Sequence, residues 1–256
     1  MRTTRTLARA ARHAAPAAAA LLALLALLAL PAPAAHAQTP TSVYWADWLS
    51  SAAVDGRGTV VGAMNVGGTA VGVTYTGELE FAVTAPGGTN YFTPRATFLG
   101  ALLDDAQPTD GDIIALSGFV SGVNTFTFAQ PVVNPVLSVV SLGRGSTPVE
   151  YVFDAPFELV SGGAAIFGGV PITSPAPNTV RGQEGNGTIR FLGTYSSLSF
   201  TTNGAEYWSG FTLGVQGTAL AETPPSTVTP EPATVGLVGA GLVVMLAGAR
   251  RRSRPA

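Results

Sequence analysis

Lysine and cysteine are absent from this chain, and its only two histidines, His13 and His36, lie near the start. The residues after His36 therefore offer no amine, thiol or imidazole side chain. Ser-His-Asp and Cys-His catalysis, Ser-Lys dyads and Schiff-base lysines each need one of these groups, so all are excluded from that part of the chain. Ordinary zinc sites and the lysine-containing phosphate loop are excluded for the same reason.

The lack of cysteine also means that no disulfide bond can staple the fold. Residues 38–229 nevertheless form a segment of about 190 residues, and a chain of that length can bury a sizeable core. Its stability must therefore come from packing.

Positive charge is scarce in this central segment. The whole chain has a formal net charge of −2, from 13 arginines and 15 acidic residues. Eight of the arginines lie in residues 2–12 and 250–254, whereas 14 of the acidic residues lie in residues 38–229, so the central segment carries about −9. Because an acidic surface repels phosphate backbones, nucleic acid is not expected as a partner.

The first 37 residues have the three parts of a secretory signal peptide. Four arginines and no acidic residue occupy the first 12 positions, and an apolar run follows at residues 21–30. Ala35 and Ala37 are the small residues that signal peptidase accepts, which predicts cleavage before Gln38. An uncleaved membrane anchor is the alternative, because the apolar stretch can be extended back to Ala14.

Residues 38–220 show many short β-forming runs between glycine- and proline-rich turns, and little helical periodicity. Eleven runs are predicted as strands: 58–66, 69–77, 78–84, 112–118, 124–130, 134–143, 149–154, 157–162, 187–193, 196–202 and 209–217. Several alternate strictly between apolar and polar residues, which is typical of antiparallel strands with one buried face. The pattern predicts an all-β fold, an antiparallel β-sandwich of jelly-roll-like type, with a closed barrel as the alternative.

The alternating runs also predict which aromatic side chains form the core. The expected core rings are Phe126, Phe128, Tyr151, Phe153, Phe191, Phe200 and Phe211.

The chain changes character after residue 220. Residues 221–229 are rich in proline and threonine and read as an extended linker. Pro230, Glu231 and Pro232 follow, and residues 233–249 are then uncharged and mostly apolar, at the short end for a transmembrane helix. The basic end consists of Arg250, Arg251, Arg252 and Arg254. By the positive-inside rule, these arginines stay in the cytoplasm and the body lies outside the inner membrane.

This tail, residues 230–254, resembles the PEP-CTERM sorting signal, in which a Pro-Glu-Pro motif precedes a single span and a basic end. The resemblance implies a Gram-negative host, transient anchoring in the inner membrane, and cleavage by an exosortase-like processing enzyme after signal peptidase has acted. It also implies release to the cell surface or the extracellular space, in a setting of exopolysaccharide production. A plain C-terminal membrane anchor is the alternative.

The body is also similar to the β-rich ectodomains that often precede such tails. The matching stretches are residues 89–94, 130–143, 185–200 and 206–215. This similarity carries over no biochemical activity.

One acidic cluster is a candidate metal site. Its members are Asp104, Asp105, Asp110 and Asp112. Calcium prefers such oxygen ligands, but the spacing matches no EF-hand loop. A solvated turn is the favoured interpretation, and a structural calcium ion is the alternative; no other cofactor is expected.

Carboxylate pairs are the remaining route to hydrolysis, as in glycosidases. The candidates are Glu150, Asp154, Glu184 and Glu206, and their spacing singles out no pair. We therefore expect no enzymatic activity. Asn186-Gly187 is interpreted as a turn before a strand at Thr188.

Aromatic residues cluster at 43–48 and 206–208. Core packing is the favoured interpretation, and stacking on sugar rings is the alternative. The sequence thus indicates a surface or matrix protein with a structural or adhesive role in a biofilm. A carbohydrate-binding module that acts on exopolysaccharide is the alternative function.

A sorting tail predicts where the mature protein ends. As a helix, residues 233–249 would span only about 25 Å at about 1.5 Å per residue, which barely crosses a hydrocarbon core of about 30 Å. We expect the exported protein to end near Thr229 or Pro230, and Glu231→Ala to block this cleavage because the motif is lost. Mass spectrometry of the exported protein measures both. Retention of residues 250–254, or normal processing of the variant, would instead indicate a plain anchor.

Overall fold

The computed structural model describes residues 41–108 and 111–219. The predicted signal peptide, linker and sorting tail therefore lie outside the described residues, together with their two expected helices, and so does Asp110. Within the described ranges, no helix combines the length and apolar character needed to cross a membrane.

The described residues form seventeen strands and one five-residue helix. The strands are β1 (Tyr44–Trp45), β2 (Asp47–Val54), β3 (Arg57–Val66), β4 (Thr69–Glu78), β5 (Phe81–Ala82), β6 (Ile114–Leu116), β7 (Val123–Val133), β8 (Val136–Leu142), β9 (Val149–Phe153), β10 (Glu158–Gly162), β11 (Val170–Pro171), β12 (Thr173–Ala176), β13 (Thr179–Gly182), β14 (Gly185–Arg190), β15 (Thr194–Asn203), β16 (Ser209–Val215) and β17 (Gly217–Thr218). The helix is α1 (Arg95–Leu99), between β5 and β6. The scarcity of helix agrees with the absence of helical periodicity in the sequence.

The strands belong to two sheets. Sheet I has the order β10-β14-β8-β16-β6-β5, with β1 beside β16 and β11 beside β14. Sheet II has the order β12-β13-β9-β15-β7-β4-β3-β2, with β17 beside β7. Every pairing is antiparallel except the two-residue contact of β11 with β14. From β6 to β10 each successive strand changes sheet, and the same holds from β13 to β17, as is typical of β-sandwiches.

The core lies between the two sheets and is rich in aromatic rings. The Phe211 ring, from sheet I, lies 5.5 Å from Phe126 and 5.7 Å from Phe200, both of sheet II. It also contacts Tyr75 and Tyr151 of sheet II, at 5.6 and 6.2 Å between ring centroids. All seven predicted core rings are buried, which confirms the strand register inferred from the alternation.

The central strands of sheet I are buried on both faces, which the sequence did not predict. Every residue of β14 and β16 is buried, whereas β7 of sheet II alternates between buried and accessible positions. The outer face of sheet I is covered by the chain between β5 and β6, which includes α1. Phe92 and Phe98 of this covering segment pack on Ile113 and Val140 in a second, smaller hydrophobic cluster.

Polar side chains under the covering segment form hydrogen bonds with one another. Thr188 Oγ1 donates to the carbonyl oxygen of Phe98 over 2.7 Å, and Ser138 Oγ lies 2.7 Å from Thr188 Oγ1. The Gln107 side-chain amide donates to Ser138 Oγ over 2.6 Å. These bonds let a partly polar sheet face be buried, because buried polar groups need partners.

All eleven predicted strands overlap strands of the structure, but several strands were missed. The longest is β2, whose serines and alanines hide its β character in the sequence. It is joined to β3 by Asp55 and Gly56, with φ of 52° and 74°, which is the two-residue turn that suits a right-twisted hairpin. The prolines of residues 171–177 similarly hid β11 and β12.

The prediction of a turn at Asn186-Gly187 is wrong, since both residues lie inside β14. The Asn186 side chain is buried, accepts the Ser141 N–H over 2.8 Å and donates to the carbonyl oxygens of Gly168 and Glu184. Gly187 is needed because a Cβ there would lie 2.3 Å from the carbonyl oxygen of Ser161. The dipeptide therefore fixes a strand instead of ending one.

The central position of Phe211 predicts a large loss of stability for Phe211→Ala. We expect the free energy of unfolding of residues 38–229 to fall by about 3–5 kcal/mol, because the cavity cannot close between two sheets. Phe119 is 73 % exposed, so Phe119→Ala should change it by less than about 0.5 kcal/mol. Urea denaturation measures both variants, and similar losses would contradict this assignment of the core.

Candidate functional site

Two members of the acidic cluster hold residues 43–48 in place. Asp105 Oδ2 accepts the Val43 N–H over 2.9 Å, and Asp112 Oδ1 accepts the Trp48 N–H over 3.1 Å. Asp104 is exposed, and Asp110 lies outside the described residues. In the part of the chain that is described, no three His, Cys, Asp or Glu side chains are grouped to hold a metal ion. The two placed carboxylates thus serve as acceptors for backbone amides.

Glu150 and Asp154 are also committed to structural contacts. Glu150 accepts the Arg181 Nε–H over 2.7 Å and the Asn203 amide over 2.9 Å. These hydrogen bonds, that from Asn203 first, lower the pKa of Glu150. The three side chains line a shallow depression of about 200 Å³ on the outer face of sheet II. Asp154 Oδ1 accepts the Ser199 N–H over 3.1 Å.

The structure brings Glu184 and Glu206 to the same end of β8, although their spacing did not single them out. Glu206 Oε1 accepts the Gly143 N–H over 2.8 Å. Glu184 Oε2 accepts the hydroxyl of Ser141 over 3.1 Å. Ser141 and Glu184 both have a φ of 56°, a left-handed conformation that non-glycine residues seldom adopt. The pair is therefore built into a tightly constrained junction between β8 and β14.

Burial raises the pKa of Glu206 from its ordinary value of 4.5 to about 7. The nearby Glu184 carboxylate raises this pKa further, while the hydrogen bonds from Gly143 and Ser209 and the charge of Arg144 lower it. A raised carboxyl pKa beside a second carboxylate is what a glycosidase acid needs. However, Glu206 is only 3 % exposed, so its carboxyl group is closed to a polymeric substrate.

The first aromatic group, at residues 43–48, packs inward as the sequence indicated. Trp48 is fully buried in the main core. Tyr44 packs against that core, and Trp45 packs beside Val43 and Leu103. This group closes the sandwich and presents no platform to solvent.

The second aromatic group belongs to a surface cluster of rings from four segments. We call it the aromatic patch, and its members are Phe81, Tyr91, Phe167 and Trp208. The Trp208 ring centroid lies 5.6 Å from both Phe81 and Phe167, and 5.8 Å from Tyr91. Phe167 is 53 % exposed. The sequence pointed to Trp208, but the other rings are far from it in the chain and carried no comparable signal.

Local backbone structure fixes the exposed ring of the patch. Ala165 and Gly168 exchange two backbone hydrogen bonds of 2.8 Å, which form a tight turn with Ile166 and Phe167 at its tip. Phe167 then packs on Tyr91, at 6.4 Å between ring centroids, and on Trp208. The ring is therefore held in place while half of it stays accessible.

A second exposed ring lies next to Trp208 in the sequence. Tyr207 is 81 % exposed, and the Arg144 guanidinium lies 5.4 Å from its ring centroid. Arg144 also donates through Nη2 to the carbonyl oxygen of Ala205 over 3.4 Å. Such a cation–π contact holds a ring in place without burying it.

The chain was compared with protein-family models, with curated proteins and with solved structures, and none of the three comparisons gave a match.

The raised pKa of Glu206 predicts a pH-dependent stability. A carboxyl whose folded-state pKa lies above its unfolded value stabilises the fold fully below about pH 4.5, and this stabilisation is lost as the pH rises through about 7. Relative to Glu206→Gln, the wild-type protein should therefore lose about 1–3 kcal/mol of unfolding free energy between these limits.

Denaturation of both proteins at a series of pH values measures this difference. Glu80→Gln, which removes an exposed carboxylate, is the control. A difference between the wild type and Glu206→Gln that does not change with pH would contradict the prediction.

Proposed function

We propose that this chain is an exported cell-surface or extracellular-matrix protein with a structural or adhesive role in an exopolysaccharide or biofilm setting. The predicted signal peptide before Gln38 and the resemblance of residues 230–254 to a PEP-CTERM sorting signal support this proposal. Signal peptidase and an exosortase-like enzyme are the proposed processing partners, and a helix at residues 233–249 provides a transient inner-membrane anchor. The proposal includes a jelly-roll-like ectodomain in a Gram-negative envelope.

The observation that carries the proposal is the exposed ring of the aromatic patch, Phe167, together with the exposed ring of Tyr207, the residue before Trp208. Both rings face solvent, and each contacts a residue from another segment. Grouped apolar surface that stays exposed on a folded body is typical of interaction sites. A body whose role is to contact a matrix needs such a surface.

The placement of the carboxylates supports a function without catalysis. Glu150 and Asp154 are engaged with neighbouring side-chain or backbone groups, and Glu206 is buried. A glycosidase needs two accessible carboxyl groups that face a common substrate. The exposed rings are thus better placed to contact a ligand than these carboxyl groups are to catalyse hydrolysis.

Carbohydrate binding by the same surface is the second candidate function. Apolar ring faces can pack against the C–H faces of sugars, and Arg144 beside Tyr207 adds hydrogen-bond donors. Exopolysaccharide is the proposed ligand class. This function differs from a purely structural role because it requires measurable affinity for free glycans.

The test compares glycan binding and matrix retention for residues 38–229. If the patch binds sugar, the wild type should bind on a glycan array, and Phe167→Ala or Tyr207→Ala should weaken binding at least tenfold, equivalent to about 1.4 kcal/mol. If the role is adhesive only, glycans should not bind, but the same variants should be lost from the biofilm matrix. Phe119→Ala is the matched control, because it removes a ring from a different loop whose exposure, 73 %, lies between those of Phe167 and Tyr207. Phe167 and Tyr207 variants that behave like this control in both assays would overturn the proposal.

A further inference from the structure

The free edge of sheet II is a long strand without charge. β2 runs from Asp47 to Val54 and pairs only with β3 among the described residues. Between Trp48 and Val54 it carries no charged residue and no proline. Every residue from Leu49 to Val54 is exposed, and Val54 is 76 % exposed. This part of the strand projects beyond the core, so both of its faces and its outer edge are accessible.

The other sheet edges within the described residues are protected. β12, at the opposite edge of sheet II, contains Pro175 and is flanked by Pro171 and Pro177, which cannot donate to a new ladder. β5 is only two residues long. β10 is five residues long and begins with the charged Glu158. Natural sheets use prolines, charges and short edge strands to prevent edge-to-edge association. β2 has a bulge at Leu49, but the residues that follow it, 50–54, carry none of these devices.

The geometry of the β2–β3 hairpin determines which backbone groups face outward. Val54 and Arg57 close the two-residue turn, and the pairing continues through Ala52↔Thr59 to Ser50↔Val61. In an antiparallel ladder, hydrogen-bonded and non-hydrogen-bonded pairs alternate, and the pair that closes a two-residue turn is hydrogen-bonded. The N–H and C=O groups of Ser51 and Ala53 therefore point away from β3, toward the free edge.

We infer that β2 pairs with β2 of a second copy of this chain, antiparallel and about a twofold axis at Ala52. Ser51 of each copy then lies opposite Ala53 of the other, so the outward N–H and C=O groups of both residues are satisfied. The paired strands join two copies of sheet II into one continuous sheet. This interface uses the opposite edge from β12 and does not involve the aromatic patch.

Charge and size favour a second copy as the occupant. In a twofold pair, a charged residue near the axis would meet its own copy, and like charges opposite each other destabilise a sheet. The five residues nearest the axis are uncharged, although the body around them carries about −9. Their serine and alanine side chains are also small enough to let two edges approach. An isologous contact needs such a self-compatible strand.

The absence of cysteine from the chain allows a direct test. In the full-length protein, Ala52→Cys places one thiol at the proposed axis, where paired Cα atoms are about 4.5 Å apart and within disulfide reach. Mild oxidation should give a covalent dimer on non-reducing gels. Ser174→Cys, an exposed position on the proline-protected edge, is the matched control; it should form no cross-link and should run as a single chain on the same gels.

A second pair of variants tests the strand pairing itself. Ser51→Lys with Ala53→Lys, in the Ala52→Cys background, should reduce the cross-linked fraction at least fivefold, because charges at an edge oppose pairing. An unchanged melting temperature of the lysine variant would show that the fold is intact.

Three results would overturn the inference. The first is that Ala52→Cys forms no cross-link, which would also be seen if another segment covered β2. The second is that Ser174→Cys cross-links as efficiently as Ala52→Cys. The third is that the two lysines leave the cross-linked fraction unchanged in a variant that still folds.

Discussion

The burial of the central strands of sheet I on both faces is the constraint on which much of this structure depends. One face packs on the rings of sheet II, and the other must be shielded from water by the chain between β5 and β6. A sheet face that carries Ser138 and Thr188 can be buried only because the covering segment supplies hydrogen-bond partners. The same segment brings Tyr91 to the surface beside Trp208. The aromatic patch is thus formed where the cover of sheet I reaches solvent.

A second theme is the use of carboxylates as acceptors for backbone amides. Among residues 41–108 and 111–219, five carboxylates accept a backbone N–H from a distant segment: Glu78, Asp105, Asp112, Asp154 and Glu206. The central segment has 14 acidic residues and only five arginines, so most carboxylates cannot find a cationic partner. Backbone amide donors take the place of the missing cations, and hydrogen bonds to an ionised acceptor are stronger than bonds between neutral groups. The acidic composition is therefore partly a structural device.

The sequence predicted those features of the fold that depend on alternation. Strands such as β7 and β9 have one apolar face, so the alternation of apolar and polar residues correctly predicted which of their aromatic side chains are buried. β2 was missed because an exposed hairpin needs no apolar face. The start of β14 was predicted too late because Asn186 was interpreted as a turn residue, whereas its side chain accepts the Ser141 N–H from within the strand. The covering layer was missed because a mostly irregular segment has no period.

The candidate site was largely beyond prediction from sequence. Phe81, Tyr91, Phe167 and Trp208 converge through sheet topology, and no local pattern links them. The same is true of Glu184 and Glu206, which meet only because β14 and the residues before β16 both lie beside the end of β8.

The repeated crossing between sheets has a kinetic consequence. β8 pairs with β16, so Leu137 lies opposite Leu213 although the two residues are far apart in the sequence. β15 and β7 are also paired over a long stretch of chain. Closing such large loops costs entropy before any contact is gained, so topologies of this kind fold in milliseconds to seconds, far more slowly than helical bundles. No disulfide is available to lock an early intermediate. A newly made chain therefore keeps its apolar strand faces in contact with water for longer before the second sheet covers them.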